Sequence, residues 1–150
     1  MGLKEKLQAD LTDAIKARNE TKAGTIRMVL AAITTEEVSG KQARVLTDAE
    51  IITVLSREAK KRREAIDAYA AANRADLVAK EKSESDVISA YLPEQLSDSE
   101  IEKLVQEAIS QTGASGASGM GQVMKFLQPK IAGKADGGKV SAIVKKALGS

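Results

Sequence analysis

An all-α fold is predicted by three features of the sequence. Ala, Lys, Glu, Leu and Ile dominate its 150 residues, while prolines number two and aromatics three: Tyr69, Tyr91 and Phe126. Good helix formers therefore outweigh the β-branched and aromatic alternation that strands require. Apolar residues recur at spacings of three and four, and Ser or Thr followed by Glu three positions later marks two helix starts. The expected architecture is a set of amino-terminal helical hairpins, about four helices over residues 1–92, followed by a small three-helix carboxy-terminal domain over residues 93–150.

Leu3, Leu7, Leu11 and Ile15 fall every fourth residue, which predicts an amphipathic helix from about residue 3 to about residue 18, with Asn19 capping the next. Ile26, Val29, Leu30 and Ile33 give a second helix, from about residue 20 to about residue 38, that ends before Gly40. Thr47-Asp48-Ala49-Glu50 is a capping box, so a long third helix follows, with an inward seam read as Ile52, Leu55, Ala59, Arg62, Ile66 and Tyr69. Asn73-Arg74 turns the chain into a fourth helix whose seam reads Leu77, Glu81, Glu84, Ile88 and Tyr91. If these two helices form a hairpin, Arg62 and Glu84 lie almost equidistant from the turn, which makes them candidates for a structural ion pair across it.

Pro93 disfavours helix in the residue before it and closes this region. Ser97-Asp98-Ser99-Glu100 opens a fifth helix carrying Ile101, Leu104, Val105, Ala108 and Ile109, which Gly113 ends. Two shorter helices are expected around Met120 to Leu127, with Ser118 as cap, and around Gly138 to Leu148.

The side-chain inventory excludes much chemistry. With no Cys and no His there is no disulfide, no thiolate nucleophile, no Ser-His triad and no ordinary Cys/His zinc site. No catalytic residue, metal ligand or cofactor is assigned. No apolar run approaches the roughly 18 residues needed to cross a bilayer, and Met1-Gly2-Leu3-Lys4-Glu5-Lys6 has no signal-peptide core, so no membrane association and a cytoplasmic location are expected. The Met-Gly start lacks the Ser or Thr that myristoylation wants, since that position holds Lys6.

The net charge of +2 hides strong polarity. Residues 93–112 set Lys103 against Glu94, Asp98, Glu100, Glu102 and Glu107, whereas residues 113–150 set Lys125, Lys130, Lys134, Lys139, Lys145 and Lys146 against Asp136. Lysines among glycines suit a phosphate backbone, gripped by ammonium groups and by N–H groups at helix starts without base reading. The second basic run, Lys60-Lys61-Arg62-Arg63, is better compensated, because Glu58, Glu64 and Asp67 lie at helix pairing distance and leave Arg57 and Lys61 least matched. The segment from Gly113 to Gly121 lacks the Gly-Lys-Ser/Thr ending of a phosphate loop and reads as a helix terminator.

Gly121-Gln122-Val123-Met124-Lys125, with Gly133-Lys134-Ala135-Asp136 and the closing Val140, Val144 and Leu148, resembles the tail of the GatB component of the aspartyl/glutamyl-tRNA amidotransferase. Ile26-Arg27-Met28, Arg57-Glu58, Arg74-Ala75-Asp76-Leu77 and Tyr91-Leu92-Pro93-Glu94-Gln95-Leu96-Ser97 extend the likeness across the chain, which resembles the free-standing YqeY-like proteins that share this tail. Where the amidotransferase tail usually has Asn-Pro, this chain has Asp136-Gly137.

The resemblance implies a bacterial protein linked to carbon–nitrogen ligase activity with glutamine as amido-N donor. The inventory holds no nucleophile with its base for glutamine hydrolysis, so the expected role is a non-catalytic, tRNA-associated accessory protein. Its nucleic-acid contacts are expected at Lys125, Lys130, Lys134, Lys139, Gly121 and Gly133. A helical adaptor that docks on amidotransferase or tRNA synthetase subunits is the alternative.

Overall fold

The computed structural model describes residues 2–149, and among them every regular element is helical. The chain forms two compact units, Met1–Leu92 and Pro93–Ser150.

The first unit holds α1 (Leu3–Lys16), α2 (Glu20–Glu37), α3 (Asp48–Ala71) and α4 (Ala75–Ser89). α1 and α2 are joined by a short turn in which Arg18 has φ 56, and Asn19 caps α2 by accepting a 3.1 Å hydrogen bond from the Lys22 N–H. Asn73, with φ 58, turns α3 into α4; a short polar side chain tolerates this left-handed conformation better than most. Thr47 and Glu50 complete the reciprocal capping box at the start of α3. α3 packs most extensively on α4, and α1 on α2.

The core gathers Leu7, Ile26, Val29, Ile33, Leu46, Ile51, Val54, Leu55, Ala59 and Ile88. It differs from the expected seam by one position at the start of α3, where Ile51 is 1% exposed and Ile52 is only partly covered. Val54, absent from the three-and-four spacing, is also buried, so α3 has a broader apolar stripe than a simple seam. Ile15, expected on the apolar face of α1, is instead half exposed.

Polar contacts fasten the connection between α2 and α3. The Glu37 carboxylate accepts from Lys4 Nζ at 2.7 Å and from the Leu46 N–H at 3.2 Å, while its carbonyl accepts from the Arg44 N–H at 2.9 Å. One residue thus ties α1, α2 and the loop leading to α3 together. The bond from Lys4, then that from Leu46, hold its carboxyl below the ordinary value of 4.5. α1 makes a second polar contact: the Tyr91 hydroxyl donates to Asp10 Oδ2 at 2.5 Å, and Lys6 lies 5.6 Å from the centre of the Tyr91 ring. Burial and the Asp10 charge push the Tyr91 phenol above its usual range.

The second unit holds α5 (Asp98–Thr112), a short 3-10 turn (Ala117–Gly119), α6 (Met120–Ile131) and α7 (Gly137–Ala147). Ile101, Val105, Ala108, Val123, Leu127, Ile131, Val140 and Val144 form its core. Ser97 caps α5, and Gly113 ends it in the left-handed conformation, φ 67. Ser118 does not cap α6 as expected: it lies within the 3-10 turn, and Gly119 holds the cap position without a side-chain bond. α6 also runs past Leu127 to Ile131. Pro129 costs it the bond to the Lys125 carbonyl, but so near the helix end and on an exposed face the loss is tolerated.

Tyrosine fluorescence reports unfolding of the first unit, because Tyr69 and Tyr91 both lie in it. Ile51→Ala is expected to cost about 2–5 kcal/mol in urea titration and Ile52→Ala below about 1 kcal/mol. A carboxyl held below its unfolded value adds stability that is present above that value and is lost as pH falls through the folded one. Wild-type stability should therefore decline more steeply below pH 4.5 than that of Glu37→Gln.

Candidate functional site

In the second unit the segment before α5 meets the turn after α6. Gln95 Nε2 donates to the Gly133 carbonyl and the Leu96 N–H to the Lys134 carbonyl, both at 2.8 Å. Gly133 adopts φ 73, so the turn itself requires a glycine. This geometry fixes the backbone of Lys134 while leaving its side chain exposed. Gly121 is different: a Cβ placed there would meet nothing within 4 Å, so packing gives no reason for a glycine in the first turn of α6.

The four lysines named from the sequence divide into two kinds. Val123, Leu127 and Ile131 turn inward, which places Lys125 on the opposite, solvent-facing side of α6. Neither Lys125 nor Lys134 has a carboxylate partner among the described residues. Lys130 and Lys139 are engaged. Lys130 Nζ lies 3.5 Å from Glu107 Oε1 on α5 and 5.1 Å from the centre of the Phe126 ring, and Lys139 at the start of α7 pairs with Asp98 at the start of α5. Asp136 caps α7 by accepting from the Gly138 N–H at 3.2 Å. The sequence does not single out Gln95, Asp98 and Glu107 as partners, because a contact between helices leaves no periodic trace.

The basic run on α3 is arranged otherwise. Arg62 is buried, 8% exposed, with Nη1 donating to Glu58 Oε2 at 2.8 Å and Nη2 to the Met28 sulfur at 3.4 Å. Its Nε lies 3.5 Å from Glu84 Oε2 on α4 without forming a hydrogen bond. Lys61 and Arg57, expected to be the least compensated, are both paired: Lys61 with Glu58 at 3.2 Å and Arg57 with Glu36 at 3.1 Å. Lys60 is exposed with no carboxylate partner among the described residues, whereas Lys61 is paired and Arg62 is a structural charge. Beside it, a groove of about 620 Å³ lies between α2 and α4, lined by Gly24, Met28, Ala79, Ser83 and Glu84 among others. Among the described residues no group of three or more metal-ligating side chains comes together, and no helix is long and apolar enough to cross a membrane.

The family model described as Yqey-like protein matches residues 4–148, nearly the whole of both units. This chain belongs to that family. A protein of Pyrenophora tritici-repentis named "Altered inheritance of mitochondria protein 41, mitochondrial" is 30% identical over 148 residues, covering 97% of this YqeY-like chain and 80% of the relative. Proteins of the same name from Eremothecium gossypii and Saccharomyces cerevisiae are 36% and 34% identical, over 57% and 64% of this chain, which spans about half of their length at 46% and 51%. These mitochondrial names overturn the cytoplasmic location expected from the amino-terminal residues: an apolar signal core is one address among several, and its lack does not fix a compartment. The relatives are fungal, so they lend no support to a bacterial source either.

Removing the cation from the Arg62 cluster should be costly. Arg62→Met leaves the Glu58 and Glu84 carboxylates facing a poorly solvated space and is expected to cost about 3–5 kcal/mol, more than Arg62→Met combined with Glu84→Leu. A double-mutant cycle read by tyrosine fluorescence should give a coupling of about 1 kcal/mol or more for Arg62 with Glu84.

Proposed function

We propose that this YqeY-like chain is a non-catalytic, tRNA-associated accessory protein whose second unit grips the ribose-phosphate backbone. The observation that carries this reading is the pair Lys125 and Lys134, two exposed ammonium groups without a carboxylate partner on the basic, glycine-rich part of the second unit. The exposed first turn of α6 at Gly121 adds support, since the positive dipole end of a helix suits a phosphate oxygen. The link to glutamine-dependent amidotransfer rests on the likeness of this tail to that of the amidotransferase GatB component. For the compartment we follow the relatives, whose names place them in mitochondria. A second reading, a helical adaptor for amidotransferase or synthetase subunits, draws on the groove between α2 and α4, where Met28 is 41% exposed.

Filter binding with bulk tRNA over a range of salt tests the proposal. Lys125→Glu with Lys134→Glu is expected to weaken binding at least about tenfold and to reduce the log–log salt slope by about 1.4–1.8, the loss of two phosphate contacts. Lys60→Glu on α3 should leave both quantities unchanged. Binding unaffected by the double change rejects this surface, and stable co-purification of a synthetase or amidotransferase subunit without RNA favours the adaptor.

A further inference from the structure

We infer that Asp98 and Glu107 of α5 act as built-in rivals of the phosphate backbone, withholding Lys139 and Lys130 from it. This deepens the proposed function and rests on it. In the free protein only Lys125 and Lys134, of the four lysines named from the sequence, are available to a polyanion, because the other two already face carboxylates of their own unit.

The contacts have the character of a restraint rather than of a structural bond. Lys130 and Glu107 have side chains 41% and 48% exposed, and Lys139 and Asp98 are 50% and 67% exposed. Solvated pairs of this kind contribute little to folding, so their removal leaves the fold intact. Contrast Arg62, which is buried among its carboxylates and cannot be released without leaving them unpaired. Lys130 is held further by the face of Phe126, the one aromatic of the second unit.

The placement of the two acids also matters. Asp98 opens α5 and Glu107 lies in its third turn, so one helix restrains both the start of α7 and the end of α6. The hydrogen bonds of Gln95 and Leu96 to the Gly133–Lys134 turn hold the start of α5 beside that turn, and hence Asp98 near Lys139. The sequence polarity between residues 93–112 and 113–150 thereby acquires a physical meaning: the acidic helix partly neutralises the basic tail against which it packs.

The consequence is that a polyanion must compete for Lys130 and Lys139. An exposed pair is worth about 1.4- to fivefold in an equilibrium constant, so releasing both should tighten binding about two- to twenty-fivefold. Two added phosphate contacts should also steepen the salt slope by about 1.4–1.8.

Filter binding of bulk tRNA separates this from simple charge. Asp98→Asn with Glu107→Gln removes both restraints, whereas Glu94→Gln with Glu102→Gln makes the same change in net charge at exposed acids of the same unit that hold no lysine. The expected result is tighter binding and a steeper slope for the first variant, with less than about a twofold change for the control. Equal gains in the two variants overturn the inference, since net charge then accounts for them. So does an unchanged first variant when Lys125→Glu with Lys134→Glu still weakens binding, an outcome that leaves the proposed surface standing. If that lysine variant also binds as wild type, the surface and the inference fall together.

Discussion

Two backbone carbonyls, those of Gly133 and Lys134, hold the second unit in the form on which its surface depends. Each accepts one hydrogen bond from the segment that leads into α5, and the left-handed Gly133 is what turns both carbonyls toward it. Through this contact the start of α5 is fixed against the end of α6. Asp98 then meets Lys139, Lys134 presents its side chain to solvent, and the short α7 buries Val140 and Val144. The glycine at 133 is therefore accounted for by the turn, whereas the glycine at 121 has no such account within the fold.

In the first unit the governing constraint is a buried cation. A core of aliphatic side chains leaves Arg62 to be satisfied by carboxylates, and Glu58 from its own helix and Glu84 from α4 supply them. Burial of this charge aligns α3 with α4, and the Met28 sulfur brings α2 into the same cluster. Glu37 plays a comparable part with Lys4 and the Leu46 N–H. Charges that a composition count treats as surface thus become joints between helices.

Legibility in the sequence depends on whether a signal is local. The capping box at Thr47 and Glu50, the cap at Ser97 and the left-handed ends at Asn73 and Gly113 are properties of a few adjacent residues, and each stands where the sequence put it. The Glu58–Arg62 pair is likewise visible as a spacing of four. Burial at Ile51 rather than Ile52 is not, because a stripe wider than a seam contains two valid spacings of three and four. Ser118 departs from its expected cap because a 3-10 turn intervenes before α6, and α6 outlasts its expected end because a proline near a helix terminus costs little. The engagement of Lys130 and Lys139 lies beyond periodicity altogether, since it depends on how α5 packs against α6 and α7. The compartment lies beyond it too, and comes only from relatives.

The division of the lysines leads to the proposal that the solvent-facing side of α6 and the turn after it would meet an RNA backbone. The most direct test is lysine acylation of the whole chain with and without saturating tRNA, read residue by residue by mass spectrometry. Lys125 and Lys134 should become strongly protected in the complex while Lys60 on α3 reacts at its free rate. Protection confined to Lys60 and Lys61, with Lys125 and Lys134 as reactive as in the free protein, would contradict the account.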